Sequence, residues 1–233
     1  MKPEWTGLKK LLVANAINKA KAPETYITDG LVLWMDGIDK GGTAGAWTDV
    51  AAGHVFTSVN GFTDGSNYVG LDAASSQYLY NSTFTAPSRF DGTVEAVITD
   101  FARGNMFFFP KTAGQIAFST SGSTDKIIWS TGGDMRPVPY DSTSKMFSIT
   151  SDENNDTIAV VNGVHNEIKY DNAYWSGPDN TYNYIGRRNY STNYNYVTAK
   201  IHAIRIYNRR LTPDEMLHNQ RIDNKRFNLG LTI

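Results

Sequence analysis

The run Val197-Thr-Ala-Lys-Ile-His-Ala-Ile-Arg-Ile-Tyr-Asn-Arg-Arg-Leu-Thr-Pro-Asp-Glu-Met216 constrains the fold more than any other part of the chain, because it spells a strand, a turn and a capped helix without a break. Ile201, Ala203, Arg205 and Tyr207 alternate with His202, Ile204 and Ile206, the period-two pattern of a strand whose side chains point to opposite faces. Thr212 then offers an N-cap oxygen and Pro213 suits the first helical position. Glu215 stands three residues after the cap, where its carboxylate reaches back to the cap N–H.

Upstream, the same alternation recurs in short pieces between turn signals. Val94, Ala96 and Ile98 alternate with Glu95 and Val97. Ile116 and Phe118 follow Gly114, and the Ile127-Ile-Trp129 run follows Gly122-Ser123. Phe147 and Ile149, then Ile158 and Val160, flank the polar Asp152-Glu-Asn-Asn-Asp156 stretch as two arms of a hairpin. Asn162-Gly163 is a type I′ turn signal, since both central residues must take positive φ. Residues 106–109, Met-Phe-Phe-Phe, predict a strand covered on both sides. Short strands at this spacing, with a helix only at each end, predict an all-β, two-sheet antiparallel jelly-roll sandwich. Leu31, Leu33 or Trp34, Ile98, Phe118, Ile149, Val160, Ile204 and Ile206 are the expected core.

A chain of 233 residues suits one such sandwich, a class that runs to about 200–250 residues as a single unit. Lys+Arg 22 against Asp+Glu 23 leaves no overall field for nucleic acid or an anionic membrane, so neither is an expected partner. The absence of cysteine excludes a disulfide framework and thiolate metal sites, and no apolar run approaches the roughly 20 residues that span a bilayer. Near the start, Leu8, Leu11, Leu12 and Ala16 recur at helical spacing among Lys9, Lys10 and Lys19. The apolar stretch at residues 11–14 is broken at once by Asn15, Asn18 and Lys19, which argues against a secretion signal. Residues 1–27 therefore form the expected N-terminal extension, with a short helix that must stop near Pro23. This helix either packs as a lid on its own domain or attaches the chain to copies of itself or another protein. Residues 28–233 form the sandwich domain.

Several of these runs, in this order, resemble laminin-G-like, concanavalin A-like lectin domains. The segment Ala199-Lys-Ile-His-Ala-Ile-Arg-Ile-Tyr-Asn-Arg-Arg-Leu-Thr-Pro-Asp-Glu-Met216 is similar to that family's closing strand and helix, G-x-I-D-E-V-R-I-Y-N-R-A-L-S-x-E-E-I, with Ala199 and His202 where the family often has Gly and Asp. Asp29-Gly-Leu-Val-Leu-Trp-Met-Asp36 resembles its first core strand with a buried Trp. Trp47-Thr-Asp49, Tyr68-Val-Gly-Leu-Asp72, Val160-Val-Asn-Gly163 and Tyr184-Ile-Gly186 resemble later landmarks. The resemblance runs from about residue 28 to 227 and implies a recognition domain. It also raises calcium, which such domains often hold at the sandwich rim. Asp36, Asp39 and Asp49 are the candidate ligands, against the reading that they cap turns. No other cofactor is expected.

Catalytic signals are sparse. A glycoside hydrolase needs two carboxylates facing one bond, yet the acids on strands stand singly: Glu95 is isolated, and Asp100 falls on the opposite face. His54, His165, His202 and His218 show no ligand spacing, and His202 is expected as a half-buried strand residue. The chain is therefore expected not to be an enzyme. Residues 172–196 hold six Tyr and six Asn together with Trp175, Arg187 and Arg188. Flat apolar rings with polar edges, beside planar donors and acceptors, suit a sugar and equally suit a protein-binding loop. Trp175, Arg187, Arg188, Tyr190, Asn193 and Tyr194 are the candidate ligand residues, with Trp175, Tyr190, Asn193 and Tyr194 in expected loops and Tyr184 in a structural role. Tyrosines that merely cover the core are the alternative.

These readings combine into a non-catalytic, lectin-like recognition domain. The resemblance, extended by the ending Asn219-Gln-Arg-Ile-Asp-Asn-Lys-Arg-Phe-Asn228 that is similar to domains of gut bacteria and their phages, implies a phage virion protein (tail, fibre or capsid decoration) that binds host or environmental glycans. Its partners would be a cell-surface polysaccharide and other virion proteins or itself through the N-terminal helix. The alternatives are a secreted or surface carbohydrate-binding protein of a bacterium, and a purely structural virion component.

Overall fold

The computed structural model describes residues 25–84, 92–101, 106–107, 117–120, 126–130, 135–139, 145–151, 157–168, 183–190 and 193–233. Among them the strands run in order β1 (Leu31–Asp36), β2 (Ala46–Thr48), β3 (Val55–Val59), β4 (Thr63–Asp64), β5 (Val69–Leu71) and β6 (Tyr78–Asn81). Then come β7 (Thr93–Thr99), β8 (Met106–Phe107), β9 (Ala117–Thr120), β10 (Lys126–Ser130), β11 (Met135–Pro139) and β12 (Met146–Ser151). The last are β13 (Thr157–Val161), β14 (Val164–Ile168), β15 (Asn183–Ile185), β16 (Arg187–Tyr190), β17 (Asn193–Tyr196) and β18 (Ala199–Tyr207), followed by helix α1 (Pro213–Arg226). The expected N-terminal helix and the 152–156 stretch lie outside the described residues.

Every pairing among these strands is antiparallel. The large sheet runs β14-β13-β12-β7-β18. Beyond β18 the neighbour changes along the strand: Ala199 and Ile201 pair with β5, which continues to β4, whereas Ala203 to Tyr207 pair with β1. A smaller sheet runs β15-β6-β3-β2; β8 to β11 form another, and β16 and β17 a hairpin. The core lies between the first two sheets. Leu33, Met35, Ile149 and Ile204 from the large sheet meet Trp47, Phe56, Leu79 and Ile185 from the small one, all buried. The hairpin expected from residues 147–160 is β12-β13, with Phe147 opposite Val161. Asn162 and Gly163 take φ 47° and 84° between β13 and β14, as a type I′ turn requires.

Three details differ from the sequence expectation. Leu33 enters the core and Trp34 faces the other way, edge-on to Tyr26 at 5.0 Å, so the fully buried Trp is Trp47. Leu31 is only partly buried, at the margin of the cluster formed by Val160, Tyr207, Leu211 and Met216. The simple alternation along β18 breaks at a register shift between Ile201 and Ala203, where the strand carries an extra residue relative to β7. This bulge puts Ile201 in the same core as Ile204 and Ile206. It also leaves His202 on the outer face beside Phe227 of the C-terminal tail, at 6% exposure rather than half-burial. One ring nitrogen meets Thr99 Oγ1 at 2.9 Å and the other must donate to the Asn67 carbonyl at 2.9 Å. Burial holds the His202 pKa below its usual value. Phe118 lies on β9, its side chain outside the described residues.

The outer face of the large sheet is closed by α1 and the C-terminal tail. Phe227 and Leu229 cover Val97, Met146 and Ala203, with Leu231 and Ile233 beside them. The helix starts where the sequence places it: Thr212 accepts from Glu215 N, and the Glu215 carboxylate returns to Thr212 N at 2.8 Å. Beneath the helix lies a polar layer that apolar packing alone would not tolerate. Arg205 Nε donates to Glu95 Oε2 at 2.7 Å, Arg205 Nη1 donates to Asp223 Oδ1 at 3.0 Å, and Nη2 binds Asp223 Oδ2; all three side chains are 1% exposed. Asn219 Nδ2 and Ser148 Oγ also donate to Glu95, and Gln220 ties Ser148 Oγ to the Val160 carbonyl. Burial opposes the charge on Arg205, but Asp223 and Glu95 outweigh it and hold its pKa well above the usual value. Burial likewise pushes the Glu95 carboxyl up against the pull of Arg205.

Residues 25–27, which the sequence reading places in the N-terminal extension, strap across this layer. Tyr26 Oη donates to Asp223 Oδ1 at 2.9 Å and its ring lies 4.4 Å from the Arg205 guanidinium. Ile27 N donates to Asn219 Oδ1, the Ile27 carbonyl accepts from Tyr207 Oη, and the Thr25 carbonyl accepts from the His218 ring.

Removing one member of a buried ion triad strands the others, so Arg205→Met should cost about 3–5 kcal/mol in urea unfolding. Glu215 supplies a pH signature. Its carboxyl is held down at about 2, chiefly by the hydrogen bond from Arg209 and further by the Thr212 backbone, against the opposing effect of burial. A depressed folded pKa contributes stability that is present above the unfolded value of about 4.3 and lost as pH falls through the folded one. Stability should therefore decline between about pH 4 and pH 2, and Glu215→Gln should flatten that decline while lowering neutral-pH stability by about 1 kcal/mol, read from melting curves across the range.

Candidate functional site

The outer face of the smaller sheet is built from strands that alternate an apolar residue inward with a larger ring outward. On β6, Leu79 is fully buried while Tyr78 and Tyr80 on either side of it are half-buried. On β15, Ile185 is buried and Tyr184 half-buried. Thr57, Tyr80 and Tyr184 stand directly opposite one another across β3, β6 and β15, so one row of side chains crosses three strands. The Tyr80 and Tyr184 rings stack with centroids 5.2 Å apart, Tyr78 meets Tyr184 edge-on at 5.7 Å, and Tyr196 lies 6.1 Å from Tyr78. Arg187 completes the group, its guanidinium 4.7 Å from the Tyr78 centroid and 5.0 Å from that of Tyr184.

Gly186 makes this geometry reachable. It takes φ 88° between β15 and β16, and its carbonyl accepts from Val197 N at 3.1 Å, so the chain leaves the sheet and returns beside it as the β16-β17 hairpin. A Cβ at this position would lie 2.3 Å from Leu71 Cδ1. The loop after β6 is fixed by Asn81, whose side chain accepts from Thr83 N and Phe84 N and donates to the Val55 carbonyl. At the other end of β6, Gln77 and Asn60 bridge the neighbouring turns.

Of the residues expected to bind ligand, Arg187 joins this cluster. Arg188, Tyr190, Asn193 and Tyr194 lie on the adjoining hairpin rather than in loops, with Arg187 opposite Tyr196, Arg188 opposite Asn195, Asn189 opposite Tyr194 and Tyr190 opposite Asn193. Alternating Tyr and Asn over two short runs pair as strands because each presents a half-polar, half-apolar pleated surface. Trp175 lies outside the described residues. Tyr78, Tyr80, Tyr184 and Tyr196 were not expected here. Their signal is the Tyr-Leu-Tyr spacing at 78–80, which places two rings on the face opposite a core residue, and the Tyr-Ile pair at 184–185.

The aspartates considered for calcium act as turn acceptors. Asp36 Oδ1 accepts from Ile38 N and Asp39 N, and its Oδ2 pairs with Arg226 at 2.9 Å. Asp49 accepts from Trp34 N, Ala51 N and Ala52 N. Asp39 is exposed in the loop between them. Among the described residues, no three His, Asp or Glu side chains come together as metal ligands, and no helix is long and apolar enough to cross a membrane. The two acids that do converge, Glu95 and Asp223, are sealed beneath α1 on the opposite side of the large sheet.

Comparison with known proteins agrees with this architecture. A family model described as the Concanavalin A-like lectin/glucanases superfamily matches residues 63–216. No curated protein matches by sequence. Among solved structures, the sialidase of Trypanosoma rangeli in complex with sialic acid aligns over 84% of this chain and 33% of its own, with a TM-score of 0.60 at 14% identity. The binding domain of botulinum neurotoxin DC in complex with SialylT aligns over 83% and 52%, at 0.61 and 8%. The serotype C1 binding domain aligns over 83% and 52%, at 0.62 and 7%. The chain thus spans a third to about half of these chains, and at such identities the likeness is one of fold.

Gly186→Ala should test whether the turn sets the face. Positive φ and the contact with Leu71 should together cost about 2 kcal/mol, measured by thermal unfolding, with the Tyr184 and Tyr196 ring resonances shifting more than those of Tyr207.

Proposed function

The chain belongs to the Concanavalin A-like lectin/glucanases superfamily, and from that premise we propose that it is a non-catalytic, lectin-like recognition domain that binds glycans on the tyrosine face of its smaller sheet. The observation that carries this reading is the grouping of Tyr78, Tyr80, Tyr184 and Tyr196 around Arg187. A pyranose has an apolar C–H face and a rim of hydroxyls. Half-buried tyrosines meet the first with ring surface and the second with phenolic oxygens, at little cost in side-chain entropy. Two proteins that share this fold over part of their length, the sialidase and the toxin binding domain, were solved with sialic acid and with SialylT, which supports a sugar as the ligand class.

A non-catalytic role is supported by where the described acids lie. Glycoside hydrolysis needs two carboxylates on opposite sides of a bond in an open cleft. Glu95 and Asp223 instead share Arg205 under the helix at 1% exposure, and β3, β6, β15, β16 and β17 carry no acidic residue. The setting we propose is a phage particle, where the domain serves as a tail, fibre or decoration component and residues 1–22 attach it to virion proteins or to copies of itself. A secreted or surface protein of a bacterium is the alternative. A purely structural component is favoured by one observation: Tyr80 and Tyr184 stack face to face, as rings do when they serve only cohesion.

A glycan array followed by calorimetry separates these. Tyr184→Ala should weaken binding by about 1–3 kcal/mol, the scale of losing one large aromatic contact, with the melting temperature little changed and no reducing sugar released by the wild type. Absence of any glycan ligand would favour the structural component.

A further inference from the structure

The tyrosine face carries a charge pattern that narrows its ligand, and we infer that it selects anionic saccharides, with the Arg187 guanidinium reading the carboxylate or sulfate of the sugar. This inference rests on the glycan-binding reading above and specifies the class of glycan.

The first observation is placement. Arg187 is half-buried at the start of β16, its guanidinium within 5.0 Å of the centroids of both Tyr78 and Tyr184. A guanidinium carries its N–H donors in one plane, a fork that can make a two-pronged bond to a planar anion. The tyrosines fix the rotamer before a ligand arrives, so little further ordering is needed on binding. Lysine, with a single mobile ammonium, would gain neither the stacking nor the fork.

The second observation is composition, independent of the rotamer. From residue 183 to 210 the chain has no Asp or Glu and six Lys or Arg: Arg187, Arg188, Lys200, Arg205, Arg209 and Arg210. Lys200, Arg205, Arg209 and Arg210 lie on or after β18, away from the rings. Arg187 belongs to the candidate face itself, and the five strands β3, β6, β15, β16 and β17 lack acids. A neutral sugar needs no guanidinium among its aromatic contacts. An anionic one is attracted by it and meets no acid on these strands.

The test uses matched pairs on the full chain: 3′-sialyllactose against lactose, oligogalacturonate against its methyl ester, and dextran sulfate against dextran. The expected result is binding to at least one charged member, at least about tenfold weaker binding of its neutral partner, and weakening as salt rises from 50 to about 500 mM. Arg187→Gln should remove the preference for the charged member, and Arg187→Lys should restore only part of it. A carboxylate ligand shows in the first two pairs and a sulfate ligand in the third. Equal binding of both members of every pair overturns this inference and leaves glycan recognition standing. Failure to bind any saccharide overturns both. Should Arg187→Gln unfold the face, the methyl-ester and lactose comparisons with the wild type decide the matter without it.

Discussion

Arg205 holds the molecule together from an unusual position, buried on the outer face of a sheet rather than between the two sheets. Its guanidinium joins β18, β7 and α1 through Glu95 and Asp223, with Tyr26 lying across it. Taking three charges out of water is expensive, and the arrangement is tolerable because every partner is also satisfied: Glu95 by Asn219 and Ser148, Asp223 by Tyr26. A greasy helix face would slide over a greasy sheet. Paired charges and amides fix one register of the helix on the strands, and α1 owes its place to them as much as to Met216 and Ile222.

This arrangement makes the two outer faces of the sandwich unlike each other. One outer face is closed by the helix, the tail and the N-terminal strap, and its polar groups point inward to one another. The smaller sheet keeps its own apolar residues, Trp47, Phe56, Leu79 and Ile185, for the core and turns tyrosines outward. The core thus takes every second residue of each strand and leaves the alternate positions of the smaller sheet to the tyrosines. A substitution on that face changes the outer surface while the residues packed between the sheets stay as they are.

Much of this was legible in the sequence wherever the signal is local. The Thr212-Pro-Asp-Glu215 cap, the Asn162-Gly163 turn and the β12-β13 hairpin each depend on residues within a few positions of one another. What escaped is nonlocal. Glu95 reads as an isolated strand acid because its partner Arg205 lies 110 residues away. The bulge that buries His202 leaves no mark in a pattern of Ile and Ala that fits two phases equally well. Trp34 and Leu33 are both apolar neighbours, and only the pairing of β1 with β18 decides which enters the core. For the candidate site, the compositional bias toward Tyr and Asn singled out the segment that holds Arg187, but it read the β16-β17 hairpin as loop. The rings from β6 are about a hundred residues upstream and could be joined to it only by the sheet.

The position of β18 has a consequence for biosynthesis. It is the strand on which β7, β1 and β5 all converge, yet among the elements of the domain only α1 follows it in the chain. β1, β5 and β7 emerge from the ribosome without the neighbour they share, and the Arg205 layer cannot assemble until the helix has also been made. β7 can pair with β12 beforehand, but the edge it offers β18 stays open until that strand follows. The vulnerable moment, when an unpaired edge invites aggregation, falls between translation of β7 and translation of α1.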